Sequence, residues 1–188
     1  MTAPPHDLDA EAAVLGAVLW SADTLRHVEP VGLRGADFYR PAHAAIYDAM
    51  QAMHANGVPI EAKTVADRLR RTGELDQVGG VPTILNLVTG GSSPSAAPHY
   101  ARIVVEFAVL RRVMALAGEM TQEAGSVPTD VTAFLADFRD RLERIETPSA
   151  HAPPEYSTWS DLAQMAESSE PDWVIEPFLD RGDRMLIV

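Results

Sequence analysis

The residues best suited to phosphate chemistry lie in the segment Gly57-Val58-Pro59-Ile60-Glu61-Ala62-Lys63-Thr64. It differs at one position from the P-loop pattern G-x-x-x-x-G-K-[ST], because Ala62 stands where the pattern requires glycine. A P-loop follows a buried strand, whereas the residues before Gly57 have helical periodicity. Glu61 would also place a carboxylate beside the phosphates. We therefore interpret the segment as a loop that leads into a helix.

Histidines and carboxylates offer no other readable active site. No two histidines stand four residues apart with a third ligand nearby, and the chain has no cysteine, so no metal site is expected. We expect His43 to pack at the start of its helix with one ring nitrogen hydrogen-bonded. Between Asp137 and Glu146, carboxylates alternate with arginines. This alternation is typical of a solvated helix face with i, i+4 ion pairs, not of a catalytic acid pair.

The composition predicts a globular protein of the cytoplasm. Hydrophobic residues make up 46% of the 188 residues and charged residues 22%. The N-terminus lacks the basic and apolar regions of a signal peptide, and no apolar stretch is long enough to span a bilayer. The formal net charge is −12, and Lys63 is the only lysine. Because nucleic-acid backbones bind clustered cations, this charge favours protein partners, and DNA contact would need a local arginine patch.

The elements that must position these residues are helices. Asp7 is predicted to cap the first helix, and Pro41 to begin the third. Shorter helices are predicted over 21–28, 63–71 and 83–88. Together they predict a small helical bundle over residues 1–97.

Two longer helices are predicted over 98–124 and from Thr129 to residue 146. The short turn Gly125-Ser126-Val127-Pro128 between them predicts an antiparallel helical hairpin over residues 98–147. Each helix carries an apolar stripe. The stripes are Tyr100, Ile103, Val104, Phe107, Leu110, Met114, Ala117 and Met120, and then Val131, Phe134, Leu135, Phe138, Leu142 and Ile145.

The end of the chain differs from the rest in kind. Residues 148–172 are predicted to form a proline-rich linker with a short helix. From Asp180 the chain runs through a Gly-Asp turn into a short apolar strand, which is how the core of a P-loop ATPase begins. No P-loop follows in this sequence. The expected fold class is therefore all-α, with residues 173–188 as the start of an ATPase domain ending in one orphan β-strand.

Several motifs follow one another in a fixed order. They are E-A-A-V-L-G-A-V-L from Glu11, D-F-Y-R-P-A-H-A-A-I-Y from Asp37, G-V-P-I from Gly57 leading to Leu69, G-E-L from Gly73, V-G-G from Val78, and Y-A-R-I-V from Tyr100 with Arg111 behind it. In this order they resemble the N-terminal domain of DnaB-family replicative helicases over residues 7–146.

That resemblance implies a non-catalytic collar. In the family, bundle and hairpin form dimers that assemble above a hexameric motor, recruit primase and serve helicase loaders. ATP and Mg²⁺ would belong to the motor, together with most DNA contact, and this segment would hold no cofactor. The apolar stripes agree, because a domain this small cannot cover them. The expected interface residues are Tyr100, Ile103, Phe107, Leu110, Arg111, Met114, Phe134, Phe138 and Leu142.

The sequence leaves other hypotheses open. Residues 171–188 lack the T-G-F-x-x-L-D stretch of the DnaB motor and resemble the entry to RecA-like ATPases of plasmid and phage replication helicases. A phage, plasmid or mobile-element relative is therefore expected, with a DNA-repair or defence ATPase as a further alternative. The chain is alternatively a stand-alone adaptor that binds a helicase or primase in trans. Direct DNA binding is the third hypothesis.

Overall fold

The computed structural model describes residues 3–145, all of which belong to one unit running from Met1 to Ser149. The predicted linker over 148–172 and the terminal strand within 173–188 lie outside the described residues. Within them, the all-α prediction is confirmed. The helices are α1 (Leu8–Trp20), α2 (Thr24–Val28), α3 (Pro41–Ala55), α4 (Ala62–Thr72), α5 (Gly80–Gly90), α6 (Ala97–Gly125) and α7 (Val131–Glu143), with 3-10 helices at Glu29–Val31 and Gly35–Asp37.

Capping residues set most helix ends where the sequence predicts them. Asp7 caps α1 by accepting the Ala10 N–H at 2.9 Å. Pro41 occupies the first turn of α3, where its missing N–H has no helical partner to lose. Gly73 follows α4 in a left-handed conformation with φ 78°. These interactions are local, and the sequence specifies them directly.

Three boundaries differ from the prediction. α2 begins at Thr24 instead of near residue 21, and Asp23 occupies the position just before its first residue. α5 is longer than predicted, because Pro82 fits its first turn instead of preceding the helix. α7 is capped by Asp130, whose carboxylate accepts the N–H groups of the second and third helical residues, so Thr129 stands one position too early.

The bundle core is built around α1, which packs against α3, α5 and α6. α1 is apolar on nearly every side, and nine of its thirteen residues are buried. A helix of this kind is stable only when neighbours surround it. The largest fully buried side chains of the core are Leu15, Ile46, Tyr47, Met50, Leu69 and Ile84.

α1 and α5 approach each other through glycines. A Cβ on Gly16 would lie 2.2 Å from the Leu87 carbonyl oxygen and 2.3 Å from the Cα of Gly91. The backbone N–H of Ser92 also donates to the Ala13 carbonyl at 3.3 Å. Only residues without a side chain permit this separation, so the glycine of the G-A-V-L motif has a packing role.

None of the helices in residues 3–145 is long and apolar enough to cross a membrane.

Candidate interaction surface

Helix α6 has two apolar faces, whereas its apolar residues were predicted to lie on one stripe. The first face is buried. Its part that packs into the bundle consists of small side chains, namely Ala97, Ala101, Val104, Val105 and Ala108, and Leu116 is buried farther along the helix. Val104, assigned to the predicted stripe, therefore belongs to the core. Small residues on this face allow α6 to lie close to α1.

The second face carries the larger apolar residues. Tyr100, Ile103 and Phe107 are half-buried at the edge of the bundle. Farther along, Leu110 is 49% exposed and Met114 is 51% exposed. Coverage by the bundle thus declines along the helix, while the apolar pattern continues. We call the residues Tyr100, Ile103, Phe107, Leu110 and Met114 the α6 seam.

The spacing of the α6 seam alternates between three and four residues, which is the heptad repeat of helices that pack side by side. On α7, Val131, Leu135, Phe138 and Leu142 follow the same spacing. Val131 is 60% exposed, Leu135 52% and Leu142 44%. Both helices of the hairpin therefore present apolar side chains to solvent at coiled-coil spacing.

The two helices of the hairpin are joined by Arg141. Its guanidinium contacts the carboxylates of Glu119 and Glu123 on α6 and lies 3.6 Å from Asp137 on its own helix. Desolvation lowers the pKa of Arg141, but the hydrogen bond to Glu123 and the surrounding carboxylates raise it above its ordinary value overall. The predicted i, i+4 pairing is confirmed by Arg144 and Asp140, 2.5 Å apart. The contacts across the hairpin were not predicted, because they depend on how the helices align.

Arg111 has a different position from the rest of the predicted interface. Its guanidinium donates to the Pro5 carbonyl at 2.9 Å and to the Asp37 carbonyl, and it lies 5.7 Å above the Tyr39 ring. His6 stacks on the same ring with centroids 4.1 Å apart. Desolvation lowers the pKa of Arg111, and Glu11 and Asp37 oppose that effect. Arg111 thus fastens the N-terminal residues and the 3-10 helix at Gly35–Asp37 to α6.

A second buried contact supports this junction. The Asp37 side chain is 1% exposed and pairs with the Arg112 guanidinium, while the Arg34 N–H donates to it at 2.8 Å. Arg111 and Arg112 therefore bind the same short segment through different atoms. The two arginines thus tie α6 to the segment that precedes α3.

The buried pair Glu11 and His43 joins α1 to the start of α3. The Glu11 carboxylate accepts the Tyr39 N–H at 2.5 Å and lies 2.7 Å from His43 Nδ1. The Arg40 N–H lies 3.4 Å from its second oxygen. The prediction that His43 packs with one ring nitrogen hydrogen-bonded is confirmed. The role of Glu11 was missed, although a carboxylate inside an apolar run is itself the signal.

The P-loop-like segment is a loop between helices, as interpreted. It follows the helix α3, not a strand, and Gly57 turns the chain with φ 66°. The Thr64 hydroxyl accepts the Glu61 N–H at 2.9 Å and so caps α4. Within residues 3–145, no group of three or more His, Asp or Glu side chains is placed to hold a metal ion.

Sequence comparisons identify relatives over most of this chain. Residues 3–106 match the family described as DnaB-like helicase N terminal domain. Replicative DNA helicase DnaB of Mycobacterium leprae is 38% identical over 163 residues, which are 86% of this chain and 26% of that protein. Replicative DNA helicase DnaC of Bacillus subtilis is 32% identical over 142 residues, 76% of this chain and 31% of that protein. The chain thus spans about a quarter to a third of the length of these curated relatives.

Solved structures share the fold. The crystal structure of the N-terminal domain of DnaB helicase from Mycobacterium tuberculosis matches with a TM-score of 0.69 and 38% identity, covering 74% of this chain and 98% of that one. A structure described as a DnaB-like replicative helicase and its interactions with primase matches with a TM-score of 0.60 and 20% identity, covering 87% of this chain and 36% of that one. The second likeness is one of fold alone.

Proposed function

The chain belongs to the family of DnaB-like helicase N-terminal domains, and we propose from that premise that it is the non-catalytic collar of a replicative DNA helicase. The collar brings copies of the chain together and offers a docking surface for primase or a helicase loader. ATP-driven unwinding, with its ATP and Mg²⁺, would belong to a motor domain outside residues 3–145. The plasmid or phage origin inferred from residues 171–188 stays a prediction, since those residues lie outside the described part.

The observation that carries this proposal is the exposed apolar pattern on α6 and α7. The α6 seam continues past the bundle with Leu110 and Met114 about half exposed, and Leu135 and Leu142 repeat the pattern on α7. Exposed apolar residues in a continuous helical register favour association with another helix surface. A second copy of the chain carries the same apolar residues at the same spacing, so the two copies can pack together around a two-fold axis. Of the expected interface residues, the α6 seam contains five, Leu142 is exposed on α7, and Phe134 and Phe138 are half-buried on α7. Their role in assembly remains part of the proposal.

The test is self-association of the full chain, measured by sedimentation equilibrium from low to high micromolar concentration. We expect dimers or larger species for the unchanged protein. The variant with Leu110→Ser and Met114→Ser should weaken dimerisation by about a hundredfold, since each lost apolar contact occurs in both copies of a two-fold dimer. The matched control is Leu85→Ser on α5, where the side chain is 52% exposed but lies off the hairpin.

A strictly monomeric chain at every concentration would overturn the collar proposal. Equal dimerisation of the hairpin variant and the Leu85→Ser control would show that the interface lies elsewhere. Primase docking is tested separately, by fluorescence anisotropy of labelled chain titrated with purified primase. Binding by a monomeric chain, with no self-association, would instead favour the adaptor hypothesis.

A further inference from the structure

Helix α4 is cationic in a chain of strongly acidic charge. It carries Lys63, Arg68, Arg70 and Arg71 against the single carboxylate Asp67, while the whole chain has a net charge of −12. Its opposite face holds Val65, Ala66 and Leu69 in the core. The helix is therefore fixed in rotation, and the cationic side chains are held toward solvent.

The exposed side of α4 borders a groove. Its apolar floor comes from the C-terminal part of α3 and the loop after it, where Met53 is 4% exposed and Val58 is 43% exposed. Arg68 and Arg71 lie one helical turn apart along its edge. The groove encloses about 330 Å³, at the low end of ligand pockets, which are about 300–1,000 Å³. This volume suits one anchoring side chain, not a folded domain.

Arg68 and Arg71 differ in their pairing from several other arginines of the described chain. Arg112, Arg141 and Arg144 each form a salt bridge with a carboxylate. Within residues 3–145, the side chains of Arg68 and Arg71 have no ion pair or hydrogen bond. Their guanidinium groups therefore remain available for a carboxylate from another molecule.

The other polar side chains that line the groove each already form a hydrogen bond or an ion pair within the chain. The Asn56 amide donates to the Ala52 carbonyl at 2.6 Å, and the Thr64 hydroxyl donates to the Pro59 carbonyl at 2.9 Å. Asp67 pairs with Arg70. The donors left for a ligand are the two guanidinium groups and the second N–H of the Asn56 amide, beside an apolar floor. That combination is complementary to a carboxylate next to an apolar side chain.

We propose that this groove docks a short acidic peptide segment of a partner protein, with one apolar side chain seated against Met53 and Val58. The carboxylates of that segment pair with Arg68 and Arg71. A nucleic-acid strand fits the groove less well, because its phosphate backbone needs several cations spread along the strand, whereas the groove is lined by two arginines. The site lies on α3 and α4, so it is a surface additional to the hairpin.

The experiment uses the full chain and a fluorescein-labelled peptide of sequence Gly-Asp-Glu-Leu-Glu-Asp-Gly, followed by anisotropy. The variant with Arg68→Glu and Arg71→Glu should weaken binding at least about tenfold, since two attractive contacts become repulsive. Lys63→Glu is the matched control, being an exposed cation on the same helix that does not line the groove. It should bind within about twofold of the unchanged chain.

Two further binding measurements identify the chemistry of the ligand. A peptide with Ser in place of Leu should bind more weakly, because it lacks the anchor. Single-stranded oligothymidylate should not compete with the labelled peptide. The groove variant should keep its circular dichroism, its melting curve and its self-association, because both substituted side chains are exposed.

Three results would overturn the proposal. The first is that the peptide shows no measurable binding to the unchanged chain. The second is that Lys63→Glu and the groove variant weaken peptide binding equally. The third is that oligothymidylate binds more tightly than the peptide and that this binding is lost in the groove variant. The last result would identify a nucleic-acid surface instead.

Discussion

Replacing Glu11 should destabilise the bundle more than any exposed substitution on the same helix. The side chain is 1% exposed, and its carboxylate accepts the Tyr39 N–H at 2.5 Å and lies 2.7 Å from His43 Nδ1. Glu11→Ala leaves these two donors without their acceptor, and the Arg40 N–H loses a longer contact at 3.4 Å. Each such group costs about 1–3 kcal/mol. The expected loss in the free energy of unfolding is therefore about 4 kcal/mol, before any cavity is counted.

This loss is large for a domain whose total stability is typically about 5–15 kcal/mol. At about 2–4 °C per kcal/mol for a chain of this size, the melting temperature should fall by about 8–16 °C. Glu11→Gln should cost less, about 2 kcal/mol, because its amide oxygen still accepts one N–H. His43→Leu should also cost less than Glu11→Ala, since the backbone N–H groups keep their acceptor.

The assay is urea unfolding of the full chain followed by circular dichroism, at one protein concentration because self-association shifts apparent stability. The matched control is Asp9→Ala, which removes an exposed carboxylate from the same first turn of α1. It should cost no more than about 1 kcal/mol, the usual contribution of a charge near a helix terminus. Equal midpoints and slopes for Glu11→Ala and Asp9→Ala would refute the reasoning.

Two further predictions concern the packing and the titration of the bundle. Gly16→Ala should cost about 2–3 kcal/mol in urea unfolding, because its Cβ would lie 2.2 Å from the Leu87 carbonyl oxygen, whereas Gly118→Ala, with open space around its Cβ, should be neutral or slightly stabilising. Desolvation and the charge of Glu74 raise the pKa of Asp48, so the folded state disfavours its charged form at neutral pH. Asp48→Asn should therefore raise the melting temperature at neutral pH, and the gain over the unchanged chain should shrink as the pH falls through the folded pKa. A gain that persists at acidic pH would contradict this assignment.

The secondary structure of the described chain follows closely from the sequence. Asp7, Pro41 and Gly73 act on backbone groups within a few residues, so their effects are the same in any tertiary context. The errors at Thr129 and Pro82 are also local, since the predicted start of α7 and the predicted start of α5 each differ from the observed one by less than one helical turn. Helix class, helix order and the hairpin could thus be predicted from periodicity and caps alone.

The candidate surface could be predicted only in part. The sequence contains the apolar pattern of α6 but does not say where the bundle stops covering it. In the structure, Val104 is buried and Met114 is half exposed, although both belong to one predicted stripe. Arg111 was grouped with the interface by its position in a motif, yet it binds Asp37 within the same chain. Which residues remain open is decided by how far α1 and its neighbours extend along α6.

The sequence by itself determined the helices, the family resemblance and the identity of the polar motif residues Glu11 and His43. Only the tertiary structure decided that these two side chains meet across 32 positions of chain, and that Arg68 and Arg71 border a groove with no carboxylate partner among residues 3–145. The physical reason is the separation along the chain over which each kind of interaction acts. Caps and periodicity depend on hydrogen bonds and packing within about one helical turn, whereas burial and pairing depend on which distant helices pack together.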